Sequence, residues 1–375
     1  MENKEKTIGM IGGGQLGRMF IEAAHKEGYK VIVLDPSKEC CAGKIADELV
    51  VAPYSDIEAL KKIAHKVSVI TYEFENVDAK VLQKIEKEVK IHPNPRALKI
   101  TQNRIREKEF VKKIGINVTP FWRITNNEEL EEAMEKIGLP SVIKTADGGY
   151  DGKGQKIVFT KEEAQKAVNE FLKNNNELIF EKMIELEKEI SVICAQNERG
   201  QMSTYPVFEN VHKDNILFTT ICPAKINEKQ EKKAREYAQK IGKELKIVGT
   251  YCVEMFIDKK GEVLINEIAP RPHNSGHLTI EAANCSQFEA QLRAVCNLEM
   301  KEIKLVKNAA MINILGQSKG NKLRGTEKLG KEFYLHLYDK GEAKNKRKMG
   351  HITILGENAL EKAIKARNEI YWSES

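Results

Sequence analysis

No run of 18 apolar residues occurs in the 375-residue chain, so no transmembrane helix is expected. The opening Met1-Glu2-Asn3-Lys4-Glu5-Lys6 lacks the apolar core of a signal peptide and leads straight into a strand-like segment. The seven cysteines form no Cys-x-x-Cys pair, and Cys40 and Cys41 are adjacent. An odd, scattered set argues against a disulfide framework and for a reducing, cytoplasmic setting. There is no internal repeat, no low-complexity tract and no Gly-x-x-x-x-Gly-Lys-[Ser/Thr] phosphate loop. Net charge is +6, but acidic and basic residues interleave, and the basic cluster at 344–348 is short. That pattern is too diffuse for a nucleic-acid or membrane footprint, although it suits anionic small substrates.

What is present is the composition of a soluble globular protein, 41% hydrophobic and 31% charged, with length for two or three domains. The first hundred residues alternate strand and helix. Strands are expected at 7–11, 30–34, 48–52, 67–71 and 89–91, with helices at 15–27, 57–64 and 79–86, a parallel doubly wound pattern. Pro93 and Pro95 mark a border, and a charged helix over 96–113 follows. Segments 118–123, 128–137, 141–145, 157–159, 162–172 and 177–181 suggest a small α+β lobe. Strands at 189–195, 202–206 and 216–221 and a helix at 228–245 come next. After a hairpin, a helix spans 279–295, and strands at 309–315, 333–338 and 351–355 precede a terminal helix.

The most informative stretch is that hairpin and its exit, Asn266 to His277. Strands at 250–257 and 262–268 flank Asp258-Lys259-Lys260-Gly261. If Lys260-Gly261 is a two-residue turn, Glu254 faces Glu267 directly, whereas a one-residue slip separates them onto opposite faces. Facing carboxylates repel. A divalent cation such as magnesium, which takes oxygen ligands, removes that repulsion. Arg271, His273, Asn274 and His277 crowd the exit of the same strand. The alternative is a solvated acidic hairpin.

Gly12-Gly13-Gly14-Gln15-Leu16-Gly17 satisfies Gly-x-Gly-x-x-Gly between a strand and a helix, with Asp35 ending the next strand. Such a turn serves NAD, another phosphate-bearing ligand, or only a tight junction. Glu73, in Thr71-Tyr72-Glu73-Phe74-Glu75-Asn76, leaves the C-terminal edge of a parallel strand, where ligands bind; a solvated loop is the alternative. Lys144 ends an apolar strand before Asp147-Gly148-Gly149-Tyr150-Asp151-Gly152-Lys153-Gly154. Four glycines in that loop are more than a hairpin needs and suit a flap over phosphates. Backbone groups of Glu181-Lys182-Met183-Ile184 can read an adenine edge, and Glu189 can hold ribose hydroxyls. His212, among polar residues, reads by itself as a surface histidine.

Together these residues resemble the ATP-grasp superfamily and, within it, the N5-carboxyaminoimidazole ribonucleotide synthetases of purine biosynthesis. The markers are Gly-Gly-Gly-Gln-Leu-Gly-Arg-Met (12–19), Thr-Tyr-Glu-Phe-Glu-Asn-Val (71–77), Gly-Gly-Tyr-Asp-Gly-Lys-Gly-Gln (148–155), Pro-Arg-Pro-His-Asn-Ser-Gly-His (270–277) and Lys-Met-Gly-His (348–351). The resemblance covers about 7–356. It implies an α/β and α+β chain with a Rossmann-like pre-ATP-grasp domain (1–103), a two-lobed ATP-grasp domain (104–300, flap lobe about 118–184) and a small C-terminal β-rich domain (301–375). It implies ATP contacts from Arg104, Lys144, Gly149, Tyr150, Asp151, Gly152, Lys153, Gly154, Gln155, Glu181, Lys182, Met183, Ile184, Glu189, His212, Asn266 and Glu267. Glu254 and Glu267 would hold magnesium, or manganese in its place. Gln15, Glu73, Tyr150, Asp151, Arg271 and Asn274 would contact aminoimidazole ribonucleotide, with its phosphate at Arg347 and Lys348. Lys144 and Arg271 would stabilise transferring groups, and Asp151 or His273 would take a proton. The implied reaction carboxylates that ribonucleotide with bicarbonate and ATP, in a cytoplasmic homodimer. In this family the glycine fingerprint does not hold NAD, which removes an oxidoreductase. The nearest rival is a formate-dependent glycinamide ribonucleotide transformylase.

Overall fold

The computed structural model describes residues 4–148, 154–174, 176–316, 320 and 322–373. Five parallel strands form the first sheet, in the order Glu48–Val51, Lys30–Asp35, Thr7–Ile11, Val69–Tyr72, Lys90–Ile91. Thr7–Ile11 is buried throughout, as expected of a central parallel strand covered by helices on both faces. One face packs Leu60, Ile63, Leu82 and Ile85, and the other packs Met19, Phe20, Ile21 and Ala24 from the helix Gln15–Lys26. The C-terminal ends of these strands deliver Gly12, Asp35 and Glu73 to one edge.

A four-stranded antiparallel sheet makes the small lobe, ordered Phe121–Ile124, Leu178–Lys182, Ser141–Thr145, Gln155–Val158. Helices Asn127–Ile137 and Lys161–Phe171 pack on it through Leu130, Ala133, Ala164 and Val168. Side chains of Asn126 and Thr160 cap them, so each helix begins where a free backbone amide finds an oxygen.

The third sheet has nine strands, all antiparallel. Its main path runs Val263–Ala269, Gly249–Asp258, Leu186–Gln196, Phe208–Lys213, Ile216–Cys222, Ala309–Leu315, Lys348–Leu355, Phe333–Leu337. Helix Glu228–Leu245, started by a reciprocal Asn227–Gln230 capping box, buries Ala234, Ala238, Ile241 and Leu245 against it. The C-terminal strands therefore extend the same sheet that carries the hairpin. Among the described residues no helix is long and apolar enough to cross a membrane.

Several expected elements divide. The helix read over 96–113 is two, Pro95–Thr101 and Arg104–Lys113, because Asn103 turns its side chain to cap the second by accepting from Ile105 N and Arg106 N. The helix read over 279–295 splits into Thr279–Ala282 and Gln287–Val295, the second capped by Ser286. Strand Phe208–Lys213 and the pair Lys322–Arg324 with Tyr371–Ser373 were not anticipated.

Candidate active site

A cleft of about 1020 Å³ opens between the small lobe, the large sheet and the edge of the first domain. The hairpin supplies its floor. The turn there is not the two-residue one expected. Asp258 N donates to Glu262 O at 3.1 Å and Gly261 N to Asp258 O at 2.8 Å, enclosing a three-residue loop with Gly261 at φ +80°. Pairing runs Ile257 with Val263, Phe256 with Leu264 and Met255 with Ile265. That register alone would set Asn266 opposite Glu254. A bulge at Asn266 shifts the strand by one residue, and Glu254 then faces Glu267. The expected juxtaposition is present, reached through a different turn and a compensating bulge.

Each carboxylate has a cationic neighbour. Glu267 Oε2 lies 3.2 Å from Arg104, and Glu254 Oε1 lies 2.8 Å from His273 Nε2. Burial alone would raise the Glu254 carboxyl, but His273, His212 and Arg271 bring it down to about 2. Burial alone would lower His273, but the Cys252 thiol and Glu254 raise it to about 10. Its other ring nitrogen, Nδ1, meets Ser275 Oγ at 2.9 Å, and Ser275 continues to Ser191 at 2.9 Å and Asn210 beyond. Both imidazole nitrogens are thus engaged.

On the small-lobe side, Glu181 sits between two lysines, 3.1 Å from Lys108 and 2.5 Å from Lys144. Burial opposes its ionisation, yet Lys108, Lys144 and Arg104 hold the carboxyl down at about 2. Burial lowers Lys144, partly offset by Glu181. The chain leaving Glu181 stays tied to the small lobe: Lys182 N donates to Pro120 O and Met183 N to Pro140 O. Farther along the cleft Glu189 accepts a short hydrogen bond from His212, and this raises the imidazole against its burial. His212, read alone as a surface group, lines the cleft.

At the strand exit Arg271 pairs with Glu75 at 2.5 Å and donates to Pro272 O at 3.0 Å. Its Nε, and both amide atoms of Asn274, are buried with no hydrogen-bond partner among the described residues. Unpaired buried polar atoms each cost roughly 1–3 kcal/mol, so this corner is built for a ligand with complementary groups. His277, by contrast, turns away into the junction with the C-terminal strands, its ring 4.9 Å from His351.

The glycine turn of the first domain corrects one reading. Glu73 accepts from Gly14 N and, at 2.7 Å, from Gly17 N, while Asp35 accepts from Gly13 N at 2.8 Å. A Cβ at Gly12 would run into Glu73 and Phe74. The amides of Gly13, Gly14 and Gly17 are taken by the chain's own carboxylates, and Gly12 makes room for Glu73. Burial raises the Glu73 carboxyl despite these bonds.

Of the sequence-derived site residues, Arg104, Lys144, Gln155, Glu181, Lys182, Met183, Ile184, Glu189, His212, Glu254, Asn266, Glu267, Arg271, His273, Asn274 and Lys348 line the one cleft. Gly149, Tyr150, Asp151, Gly152 and Lys153 lie outside the described residues. Gly154, at φ +74°, accepts from Thr145 N at its rim. Gln15 and Glu73 stand at the glycine turn rather than in the cleft wall. Arg347 is spent on the carbonyls of Lys340 (3.0 Å) and Glu342 (3.3 Å). Lys340 was missed. Burial lowers its ammonium to about 8, with Arg347 and Lys348 pushing the same way and Cys41 and Glu73 opposing. Glu75, Glu107 and Lys108 were also missed. The 104/107/108 spacing of one helix face was the available signal for the last two.

Comparison with known proteins agrees with this geometry. Residues 5–102 match a ribonucleotide synthetase preATP-grasp domain, 109–288 an ATP-grasp domain, and 309–365 a phosphoribosylaminoimidazole carboxylase C-terminal domain. The chain is 42% identical to the N5-carboxyaminoimidazole ribonucleotide synthase of Bacillus subtilis over 93% of its own length and 91% of the relative's. An N5-carboxyaminoimidazole ribonucleotide synthetase solved with ADP superposes with a TM-score of 0.90 at 45% identity, over 96% of each chain. The Aspergillus clavatus synthase solved with ADP and 5-aminoimidazole ribonucleotide gives 0.87 at 31% identity, over 97% of this chain and 99% of that one. With the facing carboxylates, the lysine-flanked Glu181 and the open Arg271–Asn274 corner in one cleft, the chain belongs to the N5-carboxyaminoimidazole ribonucleotide synthase family.

Proposed function

We infer that this chain uses ATP and bicarbonate to carboxylate the amine of 5-aminoimidazole ribonucleotide, releasing ADP and phosphate, as a step of purine biosynthesis. The observation that carries the reading is the pairing, in one cleft, of two facing carboxylates with buried donors on Arg271 and Asn274 that have no partner among the described residues. ATP is the co-substrate. Its base would lie along Glu181–Ile184 and its ribose at Glu189, with Lys144 near the phosphates. Glu254 and Glu267 suit magnesium, which favours one or two carboxylates completed by substrate phosphates and water. When bound, the ion would supply charge neutralisation at those phosphates.

Bicarbonate is a poor electrophile. Its oxygen attacks the γ-phosphorus and ADP leaves, forming carboxyphosphate, whose carbon the amine can then attack as phosphate departs. Arg271 offers a planar donor fork to the bicarbonate or carboxyphosphate oxygens. Lys144, held by Glu181, offsets charge on the moving phosphoryl group. His273, bonded through both nitrogens and carrying a raised pKa, is better suited to fixing Glu254 than to accepting the amine's proton. Asp151 keeps that role in this reading. The ribonucleotide phosphate would meet Lys348 and Lys340, with Arg347 holding the loop between them, and Gln15 and Glu73 would bound the far side.

The division into 1–103, 104–300 and 301–375, a homodimeric assembly and a cytoplasmic setting belong to the same proposal. Light scattering on the purified chain tests the dimer. The reaction course is tested by bicarbonate labelled with oxygen-18. One labelled oxygen should appear in each phosphate released, and unlabelled phosphate would rule out attack by bicarbonate.

A further inference from the structure

The bulge at Asn266 decides which way Glu267 points, and one helix face holds that bulge. Val263–Ala269 is the edge strand of the large sheet. In a regular strand, amides two residues apart point to the same side. Here Ile265 N donates outward to Asn117 O at 2.9 Å, and the next outward donor is Ile268 N, three residues on, which meets Glu107 Oε1 at 2.8 Å. The extra residue is Asn266, whose carbonyl accepts from Lys108 Nζ at 3.3 Å. Arg104 reaches Glu267 itself at 3.2 Å. Residues 104, 107 and 108 are i, i+3 and i+4 on the helix Arg104–Lys113, so one face grips three successive residues of the bulged strand.

We propose that Glu107 and Lys108 are positioning residues for the metal-binding carboxylate Glu267, acting through the backbone of the bulge and touching neither ATP nor metal. Glu107 is 1% exposed and Lys108 2%. Ionisable side chains are costly to bury unless they are paired or hydrogen-bonded. Apart from the ion pair of Lys108 with Glu181, the groups they meet, Ile268 N and Asn266 O, are backbone atoms on the outer edge of the strand. An apolar residue would pack the interface without satisfying either atom. Without the bulge, Glu267 would fall opposite Val253, on the face away from Glu254. The proposal rests on Glu254 and Glu267 being the magnesium ligands.

The test is calorimetric binding of ADP to the full chain, with and without magnesium. Wild type is expected to bind ADP more tightly with magnesium. Glu107→Leu should lose about tenfold or more of that enhancement, the usual scale for removing a group that orients a metal ligand, while metal-free ADP affinity stays within about twofold. Glu107→Gln keeps an oxygen for Ile268 N and should retain the enhancement. Glu107→Asp, one methylene short, should lose about threefold or more, and it serves if the Leu variant does not fold. Full enhancement in the Leu or Asp variant overturns the proposal. So does parallel loss of metal-free and magnesium-dependent affinity, which marks general damage. If wild type itself shows no enhancement, the metal assignment falls and takes this inference with it. Enhancement in wild type that the variants share defeats this inference alone.

Discussion

Replacing Glu181 with Gln removes the one carboxylate that faces both Lys108 and Lys144. Lys108 is 2% exposed and Glu181 3%, so the mutation leaves a buried ammonium without its counter-charge. Breaking a buried pair in this way typically costs about 3–5 kcal/mol. The native carboxyl pKa gives an independent figure. Its fall from 4.5 to about 2 corresponds to roughly 3 kcal/mol of stabilisation of the ionised form. Because the folded-state value is depressed, that stabilisation is complete above pH 4.5 and is lost as pH falls toward about 2. The difference between wild type and Glu181→Gln should therefore be constant from neutral pH to about 5 and shrink below. Trp122 reports on this lobe, since its strand partner is Phe180, the neighbour of Glu181. Urea denaturation followed by Trp122 fluorescence, in a Trp372→Phe background, would read the loss directly. Adding Lys108→Met to Glu181→Gln should recover part of the stability, because the more deeply buried of the two unpaired charges is gone while that of Lys144 remains. A loss below about 1 kcal/mol, or a double variant no more stable than the single, would refute the view that this carboxylate neutralises both lysines.

Other consequences can be measured separately. If Lys340 holds the substrate phosphate, kcat/KM for the ribonucleotide should decline as pH rises through about 8, where the ammonium loses its charge, and Lys340→Arg should remove that decline. An identical profile in the Arg variant would place the phosphate elsewhere. Arg271→Lys keeps the charge but loses the planar fork. It should lower kcat/KM for bicarbonate by about 10- to 100-fold with little change in ATP binding, read by steady-state kinetics on each substrate. Glu267→Gln should remove most turnover and leave the circular dichroism spectrum unchanged, and near-normal turnover at saturating magnesium would contradict its role.

Period-two and helical patterning made the parallel first sheet legible, because its strands are nearly continuous apolar runs between amphipathic helices. The small lobe was legible for a similar reason, its antiparallel strands alternating with two capped helices. Breaks inside helices were less so: Asn103 and Ser286 cap new helices in the middle of what reads as one continuous pattern, and the choice depends on which backbone amide each side chain reaches. The hairpin shows a subtler limit. Glu254 faces Glu267 as the spacing suggests, yet through a three-residue loop and a one-residue bulge whose offsets cancel. Nothing local in Ile265-Asn266-Glu267 announces the bulge, since Glu107 and Lys108, more than 150 residues away in sequence, hold it. The glycine fingerprint was ambiguous because the ligand of its amides, Glu73, arrives from another strand. The cleft residues reached by short motifs came together well. Lys340 did not, because burial among other cations, rather than spacing, singles it out.

Phosphate release from ATP tests the central claim most directly. It should require bicarbonate together with 5-aminoimidazole ribonucleotide for full rate, match the N5-carboxylated product mole for mole, and show no response to formate with glycinamide ribonucleotide. Release supported by formate with glycinamide ribonucleotide, or release in which neither bicarbonate nor 5-aminoimidazole ribonucleotide changes the rate, would contradict it.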